Sequence, residues 1–234
     1  MAVTPEVLAE NTVTVLDHGF VALDGALASD LAVVNGARVS FNQASDEMGE
    51  RDAGLIRFLM REGHGSPFEH GYFRFIVKAP LFVVREHHRH RAGHSYNEWS
   101  GRYSKMEPEF YVPDYVRTQV GKPGAYSFEP VDEVTREAAR HEIEENATRA
   151  FQAYERMLEQ GVAKEVARAV LPLSTYTKYY WSCNPRSLMH FCSLRNHEAA
   201  QYEIQQYAAA AESFLERLMP ITHAAFVERG RIAP

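Results

Sequence analysis

Residues 85–104 gather arginine and histidine side chains in one short segment of an acidic chain. Residues 85–94 alone contain three arginines and four histidines, and the next ten residues add serine, asparagine and glutamate side chains. A guanidinium group presents a planar fork that matches phosphate oxygens in pairs, which the ammonium group of lysine does not. Because residues 85–104 contain arginine and no lysine, the segment predicts a site for a phosphate-bearing anion.

The charge of the whole chain indicates which class of phosphate-bearing anion residues 85–104 could bind. Its net charge is -6, whereas a domain that binds duplex nucleic acid usually carries a positive surplus over a broad face. Local positive charge in a negative protein favours a small anionic ligand. The alternative is a non-catalytic protein that binds RNA or single strands, with Tyr96, Trp99 and Tyr103 as stacking platforms. The net charge disfavours it, and we expect no nucleic-acid partner.

The histidines could also suggest a metal site. His90 and His94 are four residues apart, which suits two ligands on a helix, but Gly93 should break the helix between them. Neighbouring arginines would repel a divalent cation, so we predict no metal. Other common motifs are missing: the sequence has no G-x-G-x-x-G, no Walker A loop and no G-x-S-x-G elbow, and residues 197–201 lack the second histidine of H-E-x-x-H.

A second group of polar residues lies further along the chain. Arg168 has apolar neighbours, Asn184, Arg186 and His190 fall on one side of a predicted helix start, and Arg195 ends that helix. Each has an ordinary structural alternative. Arg168 could be a surface charge, Asn184 an N-cap, and Arg195 a favourable cation at a helix C-terminus.

Length and composition bound the organisation of the chain. With 234 residues and 45% hydrophobic content, we expect one domain over residues 1–234. Two cysteines without metal-binding spacing suit the reducing cytoplasm. The first 37 residues contain no lysine or arginine, which argues against a signal or transit peptide. No apolar run approaches the roughly 20 residues that span a bilayer, so we expect no membrane partner.

The elements that must position these residues follow from periodicity and capping signals. The pattern predicts strands over residues 12–16, 70–79, 109–113 and 173–182. It predicts helices over 29–41 with Ser29 as N-cap, 54–63, 80–91, 131–160, 164–172, 185–195 and 198–219, and residues 221–230 close the chain. Residues 42–53 and 113–130 are predicted loops. Since strands and helices mix without a regular βαβ alternation, we expect an α+β fold with a central antiparallel or mixed sheet flanked by long helices.

The segment Arg89-His90-Arg91, followed by eight residues and Ser100 within Asn97-Glu98-Trp99-Ser100-Gly101-Arg102-Tyr103, resembles the signature of the flavin-dependent thymidylate synthase family. Further blocks resemble that family in order along nearly the whole chain. They are ARVSF (37–41), HGSPFEH (64–70), EVARAVLPL (165–173), NPRSL (184–188) and QYEIQQY (201–207).

The resemblance implies an enzyme that makes dTMP from dUMP. Methylenetetrahydrofolate would supply the carbon, and FAD reduced by NADPH would supply the hydride. It also implies a homotetramer in which subunits share active sites. The anions that residues 85–104 recognise would then be the FAD pyrophosphate and the nucleotide 5′-phosphate.

Site roles follow from the same resemblance, residue by residue. The residues that would bind FAD are His64, Ser66, Arg89, His90, Arg91, Glu98, Asn184, Arg186 and His190. The residues that would bind dUMP are Glu86, His87, His88, Arg89, Glu98, Trp99, Ser100, Gly101, Arg102, Arg168 and Arg195. Arg195 would face the uracil ring as the catalytic residue, stabilising developing charge as an oxyanion hole does.

This chain departs from the family pattern at three places. Glu86-His87-His88 stands where the family often has Gln-Trp before the signature, His190 stands at an expected asparagine, and Ala199 replaces a histidine of some relatives. The resemblance implies no covalent adduct between a cysteine thiolate and carbon 6 of uracil. Cys183 and Cys192 have apolar neighbours, which leave a thiol unreactive.

Overall fold

The structure is a computed structural model that describes residues 10–122 and 125–234. Within these residues, five antiparallel strands form one sheet in the order β1-β2-β3-β7-β4, and β5 and β6 form a separate hairpin. The strands are β1 (Thr12–Val15), β2 (Gly19–Leu27), β3 (Tyr72–Pro80), β4 (His94–Glu98), β5 (Arg117–Lys122), β6 (Ala125–Pro130) and β7 (Tyr176–Cys183). The predicted α+β class with an antiparallel sheet is confirmed.

Alternation of side chains explains the central strand pair. In β3, Phe73, Phe75 and Val77 point to one face and are fully buried. Phe75 lies opposite Trp181 of β7, and their ring centroids are 4.9 Å apart. Because successive residues of a strand face opposite sides, this register brings one row of large apolar side chains onto the helix-covered face of the sheet.

Eight α-helices lie within the described residues. They are α1 (Asp30–Arg38), α2 (Asp52–Arg61), α3 (Leu81–His87), α4 (Glu133–Glu159), α5 (Lys164–Ala167), α6 (Pro185–Arg195), α7 (Tyr202–Leu218) and α8 (Pro220–Glu228). Helix α7 supplies much of the principal core through its buried apolar face, including Ile204, Tyr207, Phe214 and Leu215. That core stabilises the ends of α3 and α6, where the predicted site residues begin.

A second, smaller hydrophobic cluster lies apart from the principal core. It joins Phe151 and Tyr154 of α4 to Met106 and to Ala167 of α5. The Tyr154 hydroxyl accepts a hydrogen bond from the Met106 N–H at 3.1 Å. This cluster supports the loop after β4 and the turn that carries Arg168.

Several segments differ from their predicted structure. The predicted loop over residues 113–130 contains the β5–β6 hairpin, although residues 123–124 lie outside the described part. The predicted strand over 109–113 makes only a single bridge, from Phe110 to Thr175. The predicted helix over 80–91 ends at His87, and the one over 198–219 begins at Tyr202.

Besides β5 and β6, two strands of the five-stranded sheet escaped prediction for physical reasons. Strand β2 contains Gly19 and Gly25, which weaken strand propensity, and its register shifts between Leu23 and Gly25. Strand β4 is a polar edge strand of the sheet. A strand with one polar face lacks the continuous apolar pattern by which strands are found. By contrast, Ser29 caps α1 as predicted, since its hydroxyl accepts from the Ala32 N–H at 3.1 Å.

No helix among the described residues is long and apolar enough to cross a membrane. The predicted domain limits, residues 1 and 234, remain a prediction because residues 1–9 lie outside the described part.

Helices α1, α2 and α8 pack on one another and complete the layer of helices beside the sheet.

Asp30 joins α1 to the start of α8, and its removal should destabilise the fold. Its buried carboxylate accepts hydrogen bonds from the Ile221 N–H and from the N–H and hydroxyl of Thr222. Asp30→Ala should lower the free energy of unfolding by about 1–3 kcal/mol, because these donors would lose their partner. Asp30→Asn, which keeps one acceptor oxygen, should cost less. Denaturant unfolding measures both, and equal stability of Asp30→Ala and the parent would contradict this role.

Candidate functional site

The buried imidazole of His87 anchors the end of α3. Its Nδ1 atom lies 2.6 Å from the Tyr179 hydroxyl of β7. Its ring stacks on Phe191 of α6 with a centroid distance of 4.5 Å and meets the edge of Trp181 at 4.3 Å. One side chain thus holds α3, α6 and β7 together, and it fixes where the chain leaves α3 toward Arg89.

Strand β4 fixes the segment that follows α3. The Tyr96 hydroxyl lies within hydrogen-bonding distance of the backbone carbonyls of His87 and His90, at 3.2 and 2.9 Å. The Trp181 indole N–H donates to Nδ1 of His94 at 2.9 Å. These contacts fix the conformation of residues 88–94 as a turn at the edge of the sheet.

Gly93 lies where this turn meets α6. Its φ of +72° belongs to the left-handed region, and a Cβ there would lie 2.1 Å from the Ser187 hydroxyl oxygen. Only glycine satisfies both the backbone conformation and the close approach. The turn can therefore lie directly on the start of α6, beside Asn184.

Arg195 is held at the other end of α6 by three hydrogen bonds. Its Nε donates to Nε2 of His90 at 3.0 Å, and its Nη1 donates to the Glu86 carboxylate at 3.2 Å. Its Nη2 lies 3.4 Å from the Glu86 backbone carbonyl. Because a guanidinium can only donate, Nε2 of His90 must be unprotonated.

Three histidines of this region, His87, His90 and His94, are held neutral. Burial lowers the pKa of His90 to about 4, with a further lowering by the Arg195 guanidinium, and burial together with His190 lowers the pKa of His94 to about 4. Burial also lowers the pKa of His87 well below its ordinary value. The permanent positive charge therefore comes from arginines, while the imidazoles supply neutral hydrogen-bonding groups.

Two adjoining clefts open beside these residues. The smaller has a volume of about 450 Å³ and the larger about 690 Å³, and Ala92 and His190 line both. Arg89, His90, Arg91, His94 and Arg195 line the smaller cleft. Arg89 and Arg91 are exposed, and within residues 10–122 and 125–234 no hydrogen bond or ion pair engages their guanidinium groups. They can therefore accept an anion at no cost in protein contacts.

The larger cleft contains the second predicted group. Asn184, Arg186, Ser187 and Gly93 line it together with Glu69. Asn184 is an N-cap, because its side-chain oxygen accepts from the Ser187 N–H at 2.8 Å, and only its amide NH₂ is left to face a ligand. Arg186 donates to Glu69 at 2.5 Å and to the Pro234 carbonyl at 2.6 Å. An anion in this cleft would have to compete with Glu69.

The remaining phosphate-binding candidates form a separate group on the second hydrophobic cluster. A Cβ on Gly101 would lie 2.8 Å from the Met106 sulfur and 3.4 Å from Arg168 Cδ, so the loop after β4 lies directly on Arg168. The Arg102 N–H donates to the Ser100 hydroxyl at 3.3 Å. The Arg102 guanidinium pairs with Glu165 at 3.2 Å. Ser100, Gly101, Arg102 and Arg168 are thus brought together.

Outside that group, seven predicted residues line neither cleft: His64, Ser66, Glu86, His87, His88, Glu98 and Trp99. Glu98 accepts from the Thr177 hydroxyl at 2.9 Å, and the Trp99 ring contacts Lys178. His88 packs on Tyr96. His64 lies at the surface against Phe58, and Ser66 begins the turn beside it. His87 likewise lies behind the site, in the core, and can influence a ligand only through Phe191 and the turn it anchors.

The supporting residues were missed from the sequence. Tyr96, Tyr179, Trp181 and Phe191 orient the histidines, and Glu165 pairs with Arg102. Their aromatic character looked like ordinary core, and no spacing rule links a residue near 90 to one near 181. The alternation in β7 was the one available signal, because it predicts Tyr179, Trp181 and Cys183 on one face.

Both cysteines are free and buried. Burial raises the pKa of the Cys183 thiol and of the Cys192 thiol well above the ordinary value. A thiol that remains protonated is a poor nucleophile. No group of three or more metal-ligating side chains occurs in the part of the chain that the structure describes.

The described residues form an α+β fold that carries two separate groups of arginine side chains, one around Arg195 and one around Arg168. The family described as "Thymidylate synthase complementing protein" matches residues 23–221. A flavin-dependent thymidylate synthase of Streptomyces coelicolor is 47% identical over 228 residues, covering 92% of this chain and 93% of that protein. One from Tropheryma whipplei (strain TW08/27) is 45% identical over 243 residues, covering 98% of each.

A solved structure agrees with these relatives. The crystal structure of a UMP/dUMP methylase, PolB from Streptomyces cacaoi, bound with 5-Br dUMP, superposes with a TM-score of 0.87 at 43% identity and covers 95% of this chain and 100% of that one. The chain therefore belongs to the flavin-dependent thymidylate synthase family, and the resemblance carried by its sequence motifs is confirmed. As a member it is an enzyme, a methyltransferase of thymidylate formation.

The protonation state of His90 gives a test of the geometry. Since its pKa is lowered from the ordinary 6.5 to about 4, His90 should contribute stability that is complete above pH 6.5 and is lost as the pH falls toward 4. In ¹⁵N-labelled protein, NMR should show the neutral imidazole with its proton on Nδ1 from pH 7 down to pH 5. A His90 that protonates near pH 6.5 would contradict the hydrogen bond from Arg195.

Proposed function

We propose that this enzyme makes dTMP from dUMP, with methylenetetrahydrofolate as carbon donor and FAD, reduced by NADPH, as hydride source. The observation that carries the proposal is the smaller cleft, where exposed Arg89 and Arg91 stand beside the restrained guanidinium of Arg195. Family membership supports the reaction, and the similar methylase PolB is described as bound to 5-Br dUMP.

The two adjoining clefts fit FAD. Arg89 and Arg91 offer guanidinium forks to its pyrophosphate. Gly93, which lines the larger cleft, lets the turn lie directly on Ser187 at the start of α6. Asn184 and His190 would border the flavin. Arg186 would break its ion pair with Glu69 and pair with an anionic group of the ligand instead. When bound, FAD supplies the hydride, and the protein supplies orientation and electrostatics.

Arg195 would activate the uracil ring without a covalent bond. Carbon 5 of uracil is a weak nucleophile, and it gains electron density as negative charge develops on N3 and the ring oxygens. A fixed guanidinium facing those atoms stabilises that charge. The two buried thiols support this non-covalent route, since their raised pKa values disfavour a cysteine nucleophile.

We further propose a homotetramer whose subunits share each active site. The phosphate-binding group around Arg168 and the cleft around Arg195 rest on different hydrophobic clusters. Strand β4, which separates them along the chain, is five residues long and spans about 13 Å. One nucleotide could contact both groups if Arg168 of one subunit approached Arg195 of another.

The positions of the folate and of NADPH are left open by this proposal. We expect the enzyme to act in the cytoplasm, and its two free thiols support this expectation. The nucleotide and the flavin are the ligands for which the described residues offer recognisable partners.

Arg91 should contribute to FAD retention. Arg91→Ala should remove one charge-assisted contact worth about 1.5–3 kcal/mol, and so weaken FAD binding by about one to two orders of magnitude. The loss should grow with salt, since the contact is electrostatic. Flavin content after gel filtration at several salt concentrations measures it. Arg149→Ala, an exposed arginine of α4 paired with Glu145, is the matched control. Equal flavin content in all three proteins would contradict the assignment.

Mixing two inactive variants would test both Arg195 and the shared site. Arg195→Ala should keep FAD and NADPH oxidation while thymidylate formation falls by about 10²–10³. Arg168→Ala should mainly weaken dUMP binding. Co-expressed and purified as mixed oligomers, the two variants should regain part of the parental activity, because some sites would receive both arginines. If each site lies within one subunit, mixing should restore nothing.

A further inference from the structure

We propose that Glu86 is the base that takes the N3 proton of uracil, paired with Arg195 as the group that stabilises the resulting anion. This inference rests on the proposed function. It deepens that function by assigning the proton that must leave before Arg195 can face an anionic ring. The geometry points to Glu86 because it is the carboxylate that the structure places against Arg195.

The Glu86–Arg195 pair presents a donor and an acceptor side by side. The Glu86 carboxylate lies 3.2 Å from Arg195 Nη1, and the two side chains are 24% and 20% exposed. Arginine has five N–H donors, and three of them already bind His90 and Glu86. The two remaining donors and the second carboxylate oxygen have no hydrogen-bond partner among the described residues, and we place the ligand at the edge that they form.

Uracil matches this edge. Its N3–H donor is flanked by the O2 and O4 carbonyl acceptors, so one carbonyl can accept from Arg195 while N3–H donates to Glu86. In the proposed step the N3–H bond breaks, its electron pair stays on N3, and an O–H bond forms on Glu86. The negative charge moves from the carboxylate to the ring, where it spreads over N3, O2 and O4. Carbon 5 becomes more electron-rich because the two carbonyls then withdraw less electron density from N1, which donates to C5 through C6. After carbon 5 has been methylated, Glu86 returns the proton to N3.

The charge beside Arg195 is conserved during this transfer. Arg195 begins as the partner of a carboxylate and ends as the partner of the uracil anion, so no uncompensated charge is created in the partly buried site. Without a base, the proton would have to go to solvent, and the carboxylate would repel the charge developing on the ring. A glutamine at this position could accept the same hydrogen bond but not the proton.

The surroundings of Glu86 suit a base. Burial raises its pKa, the Arg195 guanidinium of α6 lowers it, and Glu203 of α7 raises it, with a net upward direction. Glu203 is itself paired with Arg117, at 2.9 and 2.8 Å, and His90 faces Arg195 as a neutral acceptor. A carboxylate with a raised pKa is a better base at neutral pH than an ordinary one.

The experiment compares Glu86→Gln with the parent holoenzyme. Thymidylate formation, KM for dUMP, FAD content and NADPH oxidation are measured from pH 6.5 to 9.5. Glu86→Gln should keep FAD, NADPH oxidation and KM within a few-fold, while kcat at pH 7 falls by about 10² or more, as for loss of a general base. The defect should shrink about tenfold per pH unit, because solvent removes the N3 proton more readily as the pH rises.

Two further variants keep the test decisive. Glu86→Asp retains a carboxylate and should keep the parental shape of the pH profile at a reduced rate, whether or not Glu86→Gln loads FAD. Glu107→Gln, which removes a surface carboxylate paired with Lys178 at 3.2 Å, should behave as the parent.

The outcomes separate this inference from the proposed function. A Glu86→Gln defect that is constant across pH would make Glu86 a positioning residue only, and a parental kcat would remove it from the reaction. Either result overturns the inference while thymidylate formation by the parent stands. A parent holoenzyme that makes no thymidylate from dUMP would overturn the proposed function, and the inference with it.

Discussion

The contact of His87 with Phe191, Trp181 and Tyr179 determines the geometry of the rest of the site. A buried imidazole that loses its charge can stack as an aromatic ring while its Nδ1 still forms a hydrogen bond, and the 2.6 Å contact with Tyr179 uses that atom. Its Nε2 atom has no hydrogen-bond partner among the described residues. Such an atom costs free energy, and large aromatic contacts on three elements offset this cost.

Positive charge is useful here because it is concentrated and restrained. The chain is acidic as a whole, and His87, His90 and His94 are neutral. The permanent positive charge in the clefts therefore comes from a few guanidinium groups. Arg195 is fixed by His90 and Glu86, whereas Arg89 and Arg91 face solvent. The restrained cation suits the stabilisation of developing charge, which requires an orientation set in advance. The exposed cations suit the capture of a phosphorylated ligand.

Sequence patterns predicted the long helices and the fold class, because periodicity is a local property. The phosphate-binding character of residues 85–104, inferred from arginine chemistry, stays a prediction. The grouping of Ser100 and Arg102 with Arg168 came only from the family resemblance, since the contact between Gly101 and Arg168 depends on tertiary packing. The pairing of Arg195 with Glu86 was equally invisible, because it joins positions 109 residues apart. Polar edge strand β4 was missed for a related reason: its partner β7, not its own composition, makes it a strand.

The separation of the second hydrophobic cluster from the principal core has a consequence for how the protein can change by mutation. Met106, Phe151, Tyr154 and Ala167 form a unit of their own beneath Arg168. Free-energy effects of substitutions in separate, non-contacting units generally add. Under the proposed function, affinity for the phosphate end of the nucleotide could therefore be adjusted at this cluster without repacking the aromatic residues around His87. Divergence toward related nucleotides could then proceed by independent steps at the two ends of the ligand.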